Sequence, residues 1–345
     1  MRSEGDGTTR LRFSSQHEWE TWCRANTPLS RRLRARLPPS EPLLLAHSGH
    51  RPSRVLVVVD ALTSASRAAV VAPALRMAET MPVDTLVPSS MVTNLPAVLR
   101  NEVERADSPS RLSPTVVLST SPHMQAGARA LAWARGRKIP YLIVQHGAIT
   151  PFSPPLPKGV ELLAWTELDA RMWTEGLDTP VHVIGSQLLW EAAQGHRAQL
   201  INGPVVFLGQ LHAAELDREV TIRTVETLAA TTSLVYRPHP AERDRRSRAQ
   251  HRRWRRAGLA IDERRATLLE TNAAVVGIFS TGLLEAAAAG LPVCGACVPP
   301  VRWVQELWER YEIPEWGSGR VAAFTLRPRK EPILAITEIV ASHAN

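Results

Sequence analysis

Between Arg54 and Asp60 the chain reads Val-Leu-Val-Val-Val, an unbroken apolar run with no polar alternation. A strand carries such a run where both faces of its sheet are covered, which calls for helices on either side and parallel neighbours. The alternation then continues down the chain. Helix 66–80, strand 83–87, helix 94–106, strand 115–118, helix 123–136 and strand 141–144 are expected, then strand 161–165, helix 167–176 and strand 181–184. After the break at Asn202-Gly203-Pro204 a second series begins, with strands 205–208, 233–236, 259–261, 274–278 and 292–294. Helices 213–230, 241–256, 265–271 and 281–289 separate them. The pattern predicts two doubly wound α/β halves hinged near residues 190–203. Ligands of such folds lie at the carboxyl ends of the strands, here where the halves would face each other.

At 345 residues the chain suits two domains of ordinary size. The expected organisation is an N-terminal extension over 1–53, a first Rossmann-like domain over 54–200, a second over 201–330 and a C-terminal helix over 331–345. The extension carries Ser15-Gln-His-Glu18, a capping-box pattern ahead of Trp19 and Trp22, and then Pro38-Pro39, which ends regular structure. The longest apolar runs fall far short of the ~20 residues that span a bilayer. Met1-Arg-Ser-Glu-Gly-Asp-Gly has no apolar segment of a signal peptide, and 3 cysteines make no disulfide framework. A cytoplasmic protein is expected.

The net charge of +8 is almost wholly arginine, since only Lys138, Lys158 and Lys330 are lysines. Between Arg237 and Arg265 arginines crowd against only Glu242, Asp244, Asp262 and Glu263. A solvated helix face explains such a run, and so does a nearby phosphate tail, anionic acceptor or anionic membrane surface. Nucleic acid is excluded as an expected partner, because only Trp254 interleaves with the arginines as an aromatic.

The segment Ile278-Phe-Ser280-Thr281-Gly282-Leu-Leu-Glu285 brings a buried strand into a helix through small, hydroxyl-bearing residues. Ser280 or Thr281 can cap that helix while its free N–H groups and positive dipole end meet a phosphate. Glu285, one turn in, can accept hydrogen bonds from a ribose diol or complete the cap. Tyr236-Arg237-Pro238-His239-Pro240 ends another strand at the same edge, where the prolines stiffen the loop that carries His239 and Arg237 supplies a cation. Gln210, after the first strand of the second half, is a further candidate for donor phosphate. In the first half, His146 of Val144-Gln145-His146-Gly147 is the candidate general base, with Gln145 beside it toward the acceptor. Asp60 is the alternative base, with Thr63 and Ser64 for acceptor binding, although an Asp closing a first strand also caps turns. Cys294-Gly-Ala-Cys297 lacks a second ligand pair and reads as buried small residues rather than zinc ligands.

The Arg-Pro-His-Pro and Phe-Ser-Thr-Gly…Glu-Ala-Ala-Ala-Ala-Gly-Leu-Pro segments resemble the donor-binding motifs of GT-B enzymes that build bacterial surface polymers. They are similar to the His-Pro and Ser-Ser/Thr pairs of bacterial sialyl- and polysialyltransferases and of CDP-glycerol glycerophosphotransferases. Gln145-His146-Gly147 resembles the His-Gly motif of those enzymes and of capsule-export sugar transferases. The acidic base motif of many sialyltransferases has no counterpart here, and UDP-N-acetylglucosamine 2-epimerases share a similar helix start.

The resemblance covers about residues 140–295. It implies two Rossmann-like domains facing across a cleft (GT-B type), with the C-terminal helix crossing back to the first. It also implies transfer of a sugar or alditol phosphate from a nucleotide-activated donor to an acceptor hydroxyl, in surface glycan or glycosylated metabolite synthesis. His239, Ser280, Thr281 and Gly282 would hold the donor. No cofactor and no metal are expected, since no Asp-x-Asp motif sits on a strand-end loop; the acceptor would be a glycan, a lipid-linked or a small molecule. A sugar-nucleotide epimerase and a non-catalytic nucleotide-sugar-binding protein remain the alternatives.

Overall fold

The structure, a computed structural model, describes residues 10–26, 41–49, 53–106, 113–194, 203–263, 273–320, 328 and 330–344. The chain divides into two compact units. The N-terminal unit comprises Phe13–Gly147, Pro154–Trp190 and Pro328–Asn345; the C-terminal unit comprises Met1–Arg12, Ala148–Ser153 and Glu191–Arg327. One division falls within the helix Gln187–Gln194. Each unit is an α/β fold of the Rossmann type with its own sheet.

In the N-terminal unit the strands are β1 (Leu43–His47), β2 (Val55–Val58), β3 (Val83–Pro88), β4 (Glu102–Arg105), β5 (Val116–Ser119), β6 (Tyr141–Val144), β7 (Glu161–Ala164) and β8 (Val181–Val183). Their order is β4-β1-β3-β2-β5-β6-β7-β8, and all neighbours from β3 to β8 run parallel. Every residue of β2, β5 and β6 is buried, as their continuous apolar runs require. After β2 the chain opens a helical turn at Ser64–Ser66, passes through a π-helical stretch at Arg67–Val71 and continues as a helix over Ala72–Ala78. The core joins Val57, Val70, Met77, Leu118 and Val144 to Ile336 and Val340 of the C-terminal helix Pro332–Ala344. That helix belongs to the N-terminal unit.

Two expectations for this half fail. Residues 94–106 are not a helix: short 3₁₀ turns at Val92–Asn94 and Ala97–Arg100 lead into β4. Pro96 cannot donate within a helix, and β4 gains antiparallel pairing to β1 at the sheet edge. Leu43–His47, read as part of an extension, is instead a strand antiparallel to both β3 and β4. The expected helix at 265–271 lies outside the described residues.

In the C-terminal unit β9 (Val205–Leu208), β10 (Leu234–Arg237), β11 (Ala260–Ile261), β12 (Val275–Gly277) and β13 (Val293–Gly295) form an all-parallel sheet in the order β11-β10-β9-β12-β13. Helices Arg218–Ala229, Arg245–Arg256 and Thr281–Ala288 connect these strands, and Arg302–Arg310 follows β13. The chain leaves β9 for β10 on one side and reaches β12 on the other, so the strand order reverses at β9. The crevice at such a reversal is where open α/β sheets bind ligands.

Ile336 is 1% exposed and packs in the N-terminal core. Ile336→Ala should lower the unfolding free energy by about 2–5 kcal/mol, read by chemical denaturation. No loss of stability would mean that the C-terminal helix is not held by that core.

Candidate functional site

The reversal at β9 brings three strand-end loops of the C-terminal unit to one edge. Gly209-Gln210 follows β9, Arg237-Pro238-His239-Pro240 ends β10, and Ile278-Phe279-Ser280 links β12 to the helix Thr281–Ala288. Ser280 is the N-cap of that helix, and its Oγ accepts the Gly282 N–H at 3.2 Å. Because Oγ serves as an acceptor there, its own proton is left to point at a ligand oxygen. Thr281 Oγ1 accepts from the Ala148 N–H at 3.3 Å, so its methyl and hydroxyl are held by the segment Ala148–Ser153 of the same unit. Gln210 is buried, and its Oε1 accepts the Phe279 N–H at 3.0 Å. Gln210 therefore fixes the loop ahead of the helix rather than presenting its carbonyl to a donor.

The β10 loop is held from beneath by a residue that sequence reasoning counted only as a charge. Glu242 is buried, and it accepts hydrogen bonds from the Tyr236 hydroxyl (3.0 Å), the Leu211 N–H (3.1 Å) and the His239 N–H (3.2 Å). His251 Nε2 lies 2.9 Å from its other edge. One carboxylate thus ties β10, the loop after β9, the His239 loop and the helix Arg245–Arg256. Gly209 leaves room for this, since a Cβ there would come within 2.5 Å of the Tyr236 hydroxyl and 2.7 Å of Glu242. The spacing His239-x-x-Glu242 was the available signal, because a carboxylate three residues on can reach back to a loop N–H.

His239 itself is exposed at its outer edge. Its Nδ1 accepts the Ala241 N–H at 3.1 Å, which places its proton on Nε2, and its ring stacks on His212 at 4.0 Å. Partial burial lowers its pKa, opposed by the charge of Glu242. Glu285 is pushed the other way: burial raises its carboxyl pKa and the Arg237 cation opposes the rise. The edge therefore gathers a capped helix N-terminus, an imidazole, a guanidinium and a carboxylate, a set suited to an anion with hydroxyls attached.

The first-half candidates separate. Asp60 is buried at the reversal of the N-terminal sheet between β2 and β5, and its two oxygens accept the Ala126 and Gly127 N–H groups, both at 2.8 Å. These open the helix Gln125–Arg137, so Asp60 is that helix's anion. A Cβ at Gly127 would come within 1.7 Å of the Ser121 carbonyl. Burial still raises the Asp60 pKa, with both backbone bonds opposing it. Both carboxylate oxygens are thus spent on anchoring that helix. Thr63 caps the turn Ser64–Ser66 by accepting the Ser66 N–H at 3.2 Å, and Ser64 is exposed beside it.

Gln145 is also spent on the fold. Its amide donates to Gly147 O (3.0 Å) and Asp169 Oδ2 (2.9 Å) and accepts from the Trp165 N–H (2.8 Å), so it shapes the loop that carries His146 and does not face an acceptor. His146 lines a small cavity of the N-terminal unit with Ala68, Trp165, Ser186 and Ile336. Its Nδ1 is buried there and finds no hydrogen-bond partner among the described residues, and burial lowers its pKa, so the imidazole is neutral near pH 7.

No protein family and no curated protein matches this sequence. Solved structures it resembles include UDP-GlcNAc 2-epimerase of Methanocaldococcus jannaschii in complex with UDP-GlcNAc and UDP, at 13% identity and a TM-score of 0.48, over 84% of this chain and 99% of that one. The glycotransferase of kitacinnamycin is 12% identical, with a TM-score of 0.41 over 86% of this chain and 97% of that one. The β-Kdo 2,7-transferase KpsC of Thermosulfurimonas dismutans is 13% identical, with a TM-score of 0.28 over 64% and 82%. Likeness at these levels says nothing of chemistry, which rests on the residues.

Glu242→Ala would leave the Tyr236, Leu211 and His239 donors without their acceptor. It should cost at least about 3 kcal/mol in a denaturation experiment. A near-neutral result would show that Glu242 does not hold the loop.

Proposed function

We propose that the protein transfers a sugar or alditol phosphate from a nucleotide-activated donor to an acceptor hydroxyl. The donor is of the CMP-sugar, CDP-alditol or UDP-sugar kind, and its phosphates lie on the C-terminal unit at Ser280 and the first turn of the helix Thr281–Ala288. The observation that supports this is the set at the β9 reversal: the Ser280-capped helix end beside the strand-end loop that carries Arg237 and His239, with Arg237 acting on Glu285. Backbone N–H groups, the Ser280 hydroxyl and the Arg237 guanidinium meet phosphate oxygens, and Glu285 accepts from a ribose diol. The acceptor oxygen forms a bond to the activated carbon, or to phosphorus for an alditol donor. The bond to the nucleotide breaks, and the nucleotide leaves with the electron pair. His239 and the helix end stabilise its charge.

The proton of the acceptor hydroxyl passes to His146. Two features support it as the base: an Nδ1 with no partner among the described residues, and a pKa lowered by burial that keeps the ring unprotonated near neutral pH. Asp60 suits this part less, because both its oxygens accept N–H groups of the helix Gln125–Arg137.

His239→Ala and Ser280→Ala should each weaken binding of nucleoside diphosphates by about 1.5–3 kcal/mol, measured by calorimetry. Unchanged affinity in both variants would remove the donor site from this edge. His146→Ala should lower kcat by roughly 10²–10⁴ and leave nucleotide affinity nearly intact. Loss of thermal stability and of nucleotide binding together would make His146 structural. Donor turnover without any acceptor would instead identify a sugar-nucleotide epimerase.

A further inference from the structure

The helix Arg245–Arg256 reads Arg-Arg-Ser-Arg-Ala-Gln-His-Arg-Arg-Trp-Arg-Arg and contains no acidic residue. Ser247, Gln250, His251 and Trp254 form its buried stripe, at helical spacing. All its arginines are exposed. Among the described residues, ion pairs reach only Arg253, 3.9 Å from Glu226, and Arg255, which pairs with Glu263. Such an arrangement opposes helix formation in two ways. Arg245–Arg248, Arg248–Arg252 and Arg252–Arg256 are like charges three or four residues apart, and Arg245 and Arg246 sit at the positive dipole end. Asp244, the N-cap, is the one local carboxylate that offsets them, and the Ser247 bonds and Arg218 hold its pKa down to about 2 against partial burial.

A general bias toward arginine does not account for this. Neighbouring helices of the same unit pair theirs, Arg223 with Glu219 at 3.4 Å and Arg302 with Glu306 at 2.8 Å, each at i,i+4. The helix Arg245–Arg256 instead carries seven arginines and no carboxylate of its own.

We propose that this face docks the protein on an anionic phospholipid surface. The exposed arginines run along a helix of about 18 Å at 1.5 Å per residue, long enough to meet several headgroups at once. Guanidinium forks bind phosphate in bidentate fashion, and a polybasic helix face is drawn to acidic lipid within a Debye length. The single aromatic of the helix, Trp254, is buried against Tyr236 at 4.7 Å, so the face offers no ring for stacking on bases. A lipid surface fits this chemistry better than nucleic acid.

Co-sedimentation tests the proposal, with vesicles of phosphatidylcholine containing one third phosphatidylglycerol against vesicles of phosphatidylcholine alone. The full chain should pellet with the acidic vesicles only, and salt near 0.5 M should release it. A variant with Arg245, Arg248, Arg252 and Arg256 changed to Gln should lose at least tenfold in partitioning. A control with Arg76, Arg135, Arg171 and Arg302 changed to Gln removes the same charge elsewhere and should retain it. Equal loss in both variants would reduce the effect to net charge and overturn the proposal. So would retained binding in the first. If duplex or single-stranded DNA binds through these arginines while vesicles do not, the partner is nucleic acid. Nucleoside diphosphate affinity, measured alongside, should be unchanged in both variants, so failure here is separate from failure of the donor site.

Discussion

Every helix that follows a strand in a parallel sheet brings unpaired N–H groups to the carboxyl edge, and something negative or oxygen-rich must meet them. Both units face this requirement at the point where strand order reverses, and they meet it differently. In the N-terminal unit the chain supplies its own anion: Asp60, at the end of β2, places both oxygens on the first N–H groups of the helix Gln125–Arg137. In the C-terminal unit the corresponding helix receives only a neutral cap from Ser280. One reversal is closed by a carboxylate and the other is left with its positive end available to a ligand's phosphate. That asymmetry favours the second sheet as the donor site proposed here.

The edge that presents Arg237 and His239 is supported from the interior. Glu242 holds it from below. A buried carboxylate costs desolvation unless its lone pairs are filled, and here donors from several elements fill them. The consequence is a loop fixed by the interior while its outer face stays exposed. Gly209 belongs to the same device, since any side chain there would collide with the Tyr236 hydroxyl.

Glutamine has the same supporting part on both sheets. Gln145 engages three partners around the loop that carries His146, and Gln210 receives the Phe279 N–H ahead of Ser280. Each has a polar side chain at a strand end, which resembles a ligand contact in a linear reading. Burial and the number of internal partners decide otherwise. His146 is the contrary case, because its buried Nδ1 has no partner among the described residues.

The sequence by itself determined the two α/β series, since unalternated β-branched runs such as Val55–Val58 can only lie between helix layers. It also determined a hydroxyl cap at Ser280 or Thr281 and the stiffened Arg237–Pro240 loop, because capping and proline geometry are local; the structure places the cap on Ser280. It did not reveal β1 or β4, whose pairing is antiparallel and joins residues far apart in the chain. Nor did it separate Asp60 from His146 as a base. What engages the Asp60 carboxylate is tertiary: only the fold brings Ala126 and Gly127 to it across some sixty-six residues. Long-range contacts also turned Glu242 from one charge among arginines into the support of a site, because desolvation and donor count are properties of packing and not of spacing.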